Sequence, residues 1–326
     1  MRQLRYLQAI REAIAQEMAA DEAVFVIGED VRHSLRGATK DLVRQFGEQR
    51  VVDMPISEAA FTGLATGAAM AGLRPIVEYQ ISALIYVSFD QLINQAQKLP
   101  YMMGGQGAVP VTYTVIGSGA RSGLAGQHSD HPYPFLLHAG MKTIVPSTPY
   151  DAKGLMISAI RDNDPVMMFA PAKVLAMKGA VPEEPYAIPF GQADIKRKGE
   201  HVTVAAVGHL VHDALKAAEE LAAEGISVEV YDPRSLLPLD AVTLLASVRK
   251  TGRLVVFDDS NRTCGFAAEV AAVVAEHAFA ELRAPIKRVT RADVPIPFNV
   301  AMELFALPKK EDLIRAVRSV MGGAEA

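Results

Sequence analysis

Cysteine is almost absent: Cys264 is the only one in 326 residues. A lone thiol excludes a disulfide framework and any multi-cysteine metal centre, and a reducing, cytoplasmic setting is expected. Positive charge is also short. Lys and Arg number 33 against 37 Asp and Glu, a net charge of −4, which argues against a nucleic-acid or polybasic membrane role. Long apolar runs are missing as well. The longest are broken by Arg74, Glu78 or Asp90, well short of the roughly 18 residues a membrane span needs. The opening MRQLRYLQAIREAIAQEM does not read as a signal peptide. Leu4, Leu7, Ile10, Ile14 and Met18 recur at helical spacing with charges between them. What the chain does have is apolar bulk. Half of its residues are hydrophobic and 21% are charged, the balance of a packed globular protein with room for two domains.

The first half alternates short apolar runs with helical stretches. VFVIGED (24–30), RVVDMPIS (50–57), RPIVEYQ (74–80), VPVTYTVIG (109–117), TIVPST (143–148) and PVMMFAP (165–171) read as strands. TGLATGAAMAG (62–72), FDQLINQAQKL (89–99) and DAKGLMISAIRDN read as helices between them. This alternation predicts βαβ units and a mostly parallel sheet. Residues 171–200, rich in Pro, Gly and charge, read as an interdomain connection. A second α/β unit follows, closing on a helix over KEDLIRAVRSV.

Sites in open α/β sheets lie beyond the carboxyl ends of strands, which singles out three stretches. In PISE (55–58), Ser57 is placed to cap a helix, but Ala60 stands where a capping box wants Glu or Gln. Glu58 is then either a first-turn acid favoured by the helix dipole, or a desolvated carboxylate of raised pKa that shares a proton with a heterocycle. The Ala and Gly residues of 63–72 would let a backbone or flat ligand approach closely. The second stretch, SGARSGLAGQHSDHPYPFLLH (118–138), carries His128, Asp130, His131 and His138. It admits a metal, a phosphate held by its glycines, a single histidine acting as acid at a cleft, or a solvated surface loop. The third, Glu29-Asp30, caps a strand end and says little alone. Cys264 precedes a helix without a histidine partner in view and reads as structural.

Together these pieces resemble a known family. VFVIGEDV, VVDMPISEAAFTGLATGAAMAGLRPIVE, FDQLINQAQK, GQHSD, VPSTPYDAKGL, AIRDNDPV, SVEVYDPRSLLPLD, VRKTGRLVVFDD and RVTRADVPIPF occur in family order. They cover the chain from about residue 4 to 320, and PISE and QHS at this spacing are specific. The chain resembles the β subunit of the thiamine-diphosphate-dependent decarboxylating component of 2-oxo acid dehydrogenases, whose members act on pyruvate, branched-chain 2-oxo acids or acetoin. Transketolase is a broader relative.

The resemblance implies an α/β fold. A transketolase-like pyrimidine-binding domain (1–185) precedes a transketolase C-terminal-like domain (186–326), each a mostly parallel sheet covered by helices. It implies that Glu58 shares a proton with the cofactor's pyrimidine nitrogen, and that Glu29 is a second acid in that pocket. Ile56 and Gln80 would line the pyrimidine. His128 would orient substrate or donate a proton. Val111, Ala159, Asp162 and Asp164 match a structural potassium site of some relatives. The family's magnesium-diphosphate motif, Gly-Asp-Gly, is absent from the sequence. A separate α subunit is therefore expected to bring the diphosphate and magnesium site, in an α2β2 heterotetramer that serves a lipoyl acyltransferase, with the isolated chain inactive. Leu84 stands where relatives carry an aromatic residue against the pyrimidine, a stacking contact worth roughly 0.5–1.5 kcal/mol beyond area burial. Ser129-Asp130, His131-Pro132 and Phe135 also depart from the family pattern. The substrate stays open among 2-oxo acids and acetoin, with the C-terminal half of a split transketolase as the alternative.

Overall fold

The computed structural model describes residues 2–322. The chain forms two compact units. One comprises residues up to Gly119 together with Phe135–Phe190, and the other Ala120–Pro134 together with the chain from Gly191 onward.

In the first unit six strands lie in the order Lys142–Ile144, Val166–Pro171, Thr112–Ser118, Arg74–Tyr79, Val24–Gly28, Val51–Asp53. All of these neighbours pair in parallel. Four of the strands are buried along almost their whole length, which explains their continuous apolar runs where an amphipathic strand would alternate. Helices Tyr6–Ala20 and Pro149–Arg161 contribute Ile10, Ile14, Met18, Leu155 and Ile160 to one core beside Val26, Ile76 and Met168. The predicted N-terminal helix starts later than its periodicity suggests. Arg2–Arg5 is a strand, paired antiparallel with Lys178–Val181. Residues 171–200, read as a connection, therefore supply a strand to the first unit, and a second strand, Asp194–Arg197, to the other. The helix expected over 89–99 is wound as a π-helix at Asp90–Gln97 and continues as a short α-helix, Leu99–Met102.

In the second unit five strands run Lys287–Arg291, Leu254–Asn261, Val202–Ala206, Val228–Asp232, Asp194–Arg197. The first four are parallel, and Asp194–Arg197 closes the edge antiparallel. Helices Leu210–Ala222 and Lys310–Val320 pack Leu210, Leu221, Leu313 and Val317 against this sheet. No helix is long and apolar enough to cross a membrane among the described residues.

Candidate active site

Strands Val24–Gly28, Val51–Asp53 and Arg74–Tyr79 are adjacent, with Gly28 in register with both Asp53 and Glu78. Their carboxyl ends therefore bring together Glu29, the loop into Glu58, and Gln80. The approach at Gly28 is close: a Cβ there would lie 2.5 Å from the Glu78 carbonyl oxygen. Arg32 ties the turn after Glu29 to the next strand, donating its backbone N–H to Asp53 (2.8 Å) and its Nε to the Val51 carbonyl (2.8 Å).

Glu58 is the first residue of helix Glu58–Met70 and is buried, 6% exposed. Ser57 occupies the N-cap position, but its hydroxyl makes no capping bond. The helix is fixed from beneath by its threonines. Thr62 meets the Tyr79 hydroxyl at 2.5 Å and Thr66 the Tyr113 hydroxyl at 3.2 Å, and the rings of Phe61 and Tyr79 lie 5.7 Å apart. These contacts make the inner face of the helix. Its small residues do not all face inward: a Cβ at Gly67 would meet nothing within 4 Å, and Ala60, Leu64 and Met70 are exposed. The expected close-packed floor is thus only the Thr62, Ala65, Thr66, Ala69 side, and the other side stands open.

Glu29 shares a side-chain hydrogen bond with Glu58. Partial burial, then the Glu58 charge and that bond, then Asp30, push the Glu29 carboxyl up to about 7. The Glu29 carboxyl therefore keeps its proton up to near neutrality. Gln80 donates to the Glu29 carbonyl at 2.7 Å, while its own Oε1, and Oε1 of Glu29, are buried without a hydrogen-bond partner. Buried polar atoms normally find partners, so a raised acid beside an unanswered amide is suited to a polar heterocycle. Leu84 lies half-buried in the turn Ser82–Tyr86, and Ile56 is 84% exposed.

Glu78 was not singled out by sequence as a site residue, although it interrupts an apolar run. It is 2% exposed, and burial pushes its carboxyl up to about 7 against the opposing pull of Arg36 and a bond with Gln80. The signal for it was present: a carboxylate inside a strand buried on both faces needs a reason.

His128 is exposed, in the second unit. The loop around it is held by Glu303, whose carboxylate accepts from the N–H groups of Ser122 and Gly123 at 2.9 Å each, and by Arg291, which donates to Asp130 at 2.8 Å. The histidines of 118–138 do not converge as one metal site. His128 and His138 are exposed, and His131 is 4% exposed and turned toward Asp259. Burial also removes His131 from any surface phosphate cluster. Cys264 is exposed.

Val111, Ala159, Asp162 and Asp164 lie in the first unit. The Val111 carbonyl accepts from Val166, Arg74 donates to the Asp162 carbonyl at 3.0 Å, and Lys142 holds the carboxylates of Asp162 and Asp164 at 2.8 and 2.9 Å. Protein cations thus lie among these residues, Arg74 on one backbone carbonyl and Lys142 on the two carboxylates.

Residues 2–177 match the family described as transketolase, pyrimidine binding domain, and residues 191–313 the transketolase C-terminal domain. The chain is 46% identical to the β subunit of acetoin:2,6-dichlorophenolindophenol oxidoreductase of Bacillus subtilis, over 96% of each chain. It is 40% identical to the pyruvate dehydrogenase E1 component subunit β of the same organism, over 98% of this chain and 99% of that one. Its 2-oxoisovalerate dehydrogenase subunit β is 38% identical, over 97% and 98%. Among solved structures, a split-gene transketolase described as an inactive β4 tetramer superposes with a TM-score of 0.78 at 23% identity, over 98% of both chains. That last likeness is one of fold.

Proposed function

Because the chain belongs to the transketolase-like family of β subunits of thiamine-diphosphate-dependent 2-oxo acid and acetoin dehydrogenases, we propose that it holds the pyrimidine half of the cofactor for an enzyme that cleaves acetoin. The pyrimidine-binding domain ends and the C-terminal domain begins between residues 177 and 191. Glu58 carries the proton at the pyrimidine ring nitrogen, and Glu29 supports it by sharing that proton. Gln80 offers its free Oε1 to the ring's amino group, and Ile56 and Leu84 lie against the ring. When bound, thiamine diphosphate supplies the electron sink that lets the bond beside the substrate carbonyl break. His128 serves the substrate, orienting it or giving up a proton. Cleavage of acetoin would release acetaldehyde, and the disulfide of a lipoyl carrier on an acyltransferase partner would oxidise the retained two-carbon fragment, one sulfur taking it as an acyl group and the other leaving as a thiol.

The observation that carries this reading is the Glu58–Glu29 hydrogen bond at the carboxyl end of a parallel sheet, beside the unpartnered Gln80 Oε1. A proton held near neutrality on Glu29 beside Glu58 is one that a basic ring nitrogen could recruit. Identities of 46% and 43% to the acetoin enzymes of two bacteria, against 40–42% to pyruvate dehydrogenase β subunits and 38% to the 2-oxoisovalerate enzyme, support acetoin as the first substrate to test. Lacking Gly-Asp-Gly, the chain depends on an α subunit for diphosphate and magnesium, in an α2β2 assembly in the cytoplasm. The open side of helix Glu58–Met70 and exposed Ile56 are surfaces such a partner would cover. Backbone oxygens of Val111, Ala159, Asp162 and Asp164 would hold a structural potassium ion in competition with Arg74, which donates to the Asp162 carbonyl.

The test is reconstitution of the chain with its α partner, thiamine diphosphate and magnesium, assayed with acetoin, pyruvate and a branched-chain 2-oxo acid. Acetoin is expected to give the highest kcat/KM, and the chain alone no turnover. Preferred turnover of a 2-oxo acid would replace the substrate, and turnover of sugar phosphates alone would overturn the reading.

A further inference from the structure

The second unit contains a group of side chains that the proposed activity does not use, and of which the sequence pattern points only to His131. His131, His209 and Asp259 each offer a ligand atom, and these three atoms lie within 4.8 Å of one another. His131 Nε2 is 3.5 Å from Asp259 Oδ2, and His209 Nε2 is 4.0 Å from the same oxygen. The three side chains are 3%, 7% and 6% exposed. They come from three distant segments. Strands Val202–Ala206 and Leu254–Asn261 are parallel neighbours with Ala206 opposite Phe257. His209 follows the end of the first strand, and Asp259 sits toward the end of the second. His131 is brought over them by the segment 120–134, which Glu303 and Arg291 hold to this unit. The cluster thus occupies the carboxyl edge of a parallel sheet, the position at which open α/β sheets bind ligands.

We propose that His131, His209 and Asp259 form a zinc-binding site. Two imidazoles and one carboxylate are a donor set for zinc, whose bonds of about 2.0–2.2 Å place tetrahedral ligand atoms roughly 3.3–3.6 Å apart. Two of the separations are 3.5 and 4.0 Å and all three lie within 4.8 Å, so closing by roughly 1 Å at most brings the atoms to that spacing. The adjacent acid, Asp258, does not compete for the ion, because it accepts hydrogen bonds from the Tyr133 hydroxyl and from Ser260. Three protein ligands leave the fourth position to a water. The ion brings positive charge to a buried carboxylate and clamps the loop three residues beyond His128 to the sheet. This site is independent of the thiamine reading, and it is not the histidine-loop centre that 118–138 suggests, because two of its ligands lie about 80 and 130 residues further on, a separation no spacing rule covers.

The test uses the full chain, stripped with a chelator and titrated with zinc against a chromophoric competitor. One zinc per chain is expected. His209→Asn and Asp259→Asn, checked for native circular dichroism, should each lose at least about tenfold in affinity, the scale on which perturbing a zinc shell acts. Zinc should raise the unfolding midpoint of the wild type and not of the variants. Should neither variant fold, anomalous scattering at the zinc edge from wild-type crystals decides, with a peak expected between the three side chains. Failure of the wild type to retain zinc, equal affinity in folded variants, or a peak elsewhere overturns the proposal and leaves a buried His–Asp–His cluster without a metal.

Discussion

Glu78 is the most fully buried acid beside the proposed cofactor pocket, and its proton is worth a measurable amount. Burial raises its carboxyl from the ordinary 4.5 to about 7. The folded chain therefore keeps this proton over a range in which the unfolded chain has released it. The stabilising contribution is complete below pH 4.5 and is lost as the pH rises through 7. A shift of that size corresponds to roughly 3 kcal/mol. Glu78→Gln removes the titration, so its stability relative to wild type should rise by about that amount from pH 4.5 to above 7, read by denaturant unfolding. A difference that stays constant with pH would show that Glu78 ionises normally. At this scale the sequence was partly legible. PISE and its strand end marked Glu58, but its bond to Glu29 depends on the pairing of two strands about 25 residues apart, and the charge state of Glu78 on how completely the sheet is covered.

The element that sets the spacing of these acids is the pair of strands Val24–Gly28 and Arg74–Tyr79. At Gly28 the backbone of the neighbouring strand occupies the space of a side chain, 2.5 Å from an ideal Cβ. The obstructing atom is a carbonyl oxygen and cannot swing aside. Gly28→Ala should force the strand ends apart and cost on the order of 1–3 kcal/mol. Glu29 and Gln80 should move apart with them, so the reconstituted enzyme should bind thiamine diphosphate more weakly than the loss of stability alone explains. Wild-type cofactor affinity in a folded Gly28→Ala variant would contradict this coupling. Periodicity located nearly every parallel strand, because strands buried on both faces are continuously apolar. It failed where non-local pairing decides. Leu4 fits the helical spacing, yet Arg2–Arg5 pairs with Lys178–Val181. Nothing in FDQLINQAQKL separates α from π winding, although Pro100, which lacks an N–H to donate, falls near the join with Leu99–Met102.

For the whole molecule, the apolar alternation, the missing Gly-Asp-Gly and the ordered motifs already implied an incomplete catalytic unit of two α/β parts. They did not reveal that residues 120–134 pack with the second unit. Arg291, Glu303 and Asp259 make that assignment across more than 120 positions of sequence, beyond the reach of local pattern. For the same reason His209 and Asp259 carried no signal. On the proposed reading, function rests on a division of labour, in which this chain would supply proton chemistry through Glu58 and an α subunit the diphosphate site. Glu58→Gln keeps the size and hydrogen-bonding capacity of the side chain but removes the carboxyl that holds the proton. The most direct measurement is the turnover of acetoin by Glu58→Gln reconstituted with the α subunit, thiamine diphosphate and magnesium, after the assembly is shown to be native by mass and circular dichroism. The account predicts a loss of kcat of about 10²–10⁴-fold or more, the contribution of a positioned proton-transfer group; turnover within a few-fold of wild type would contradict it.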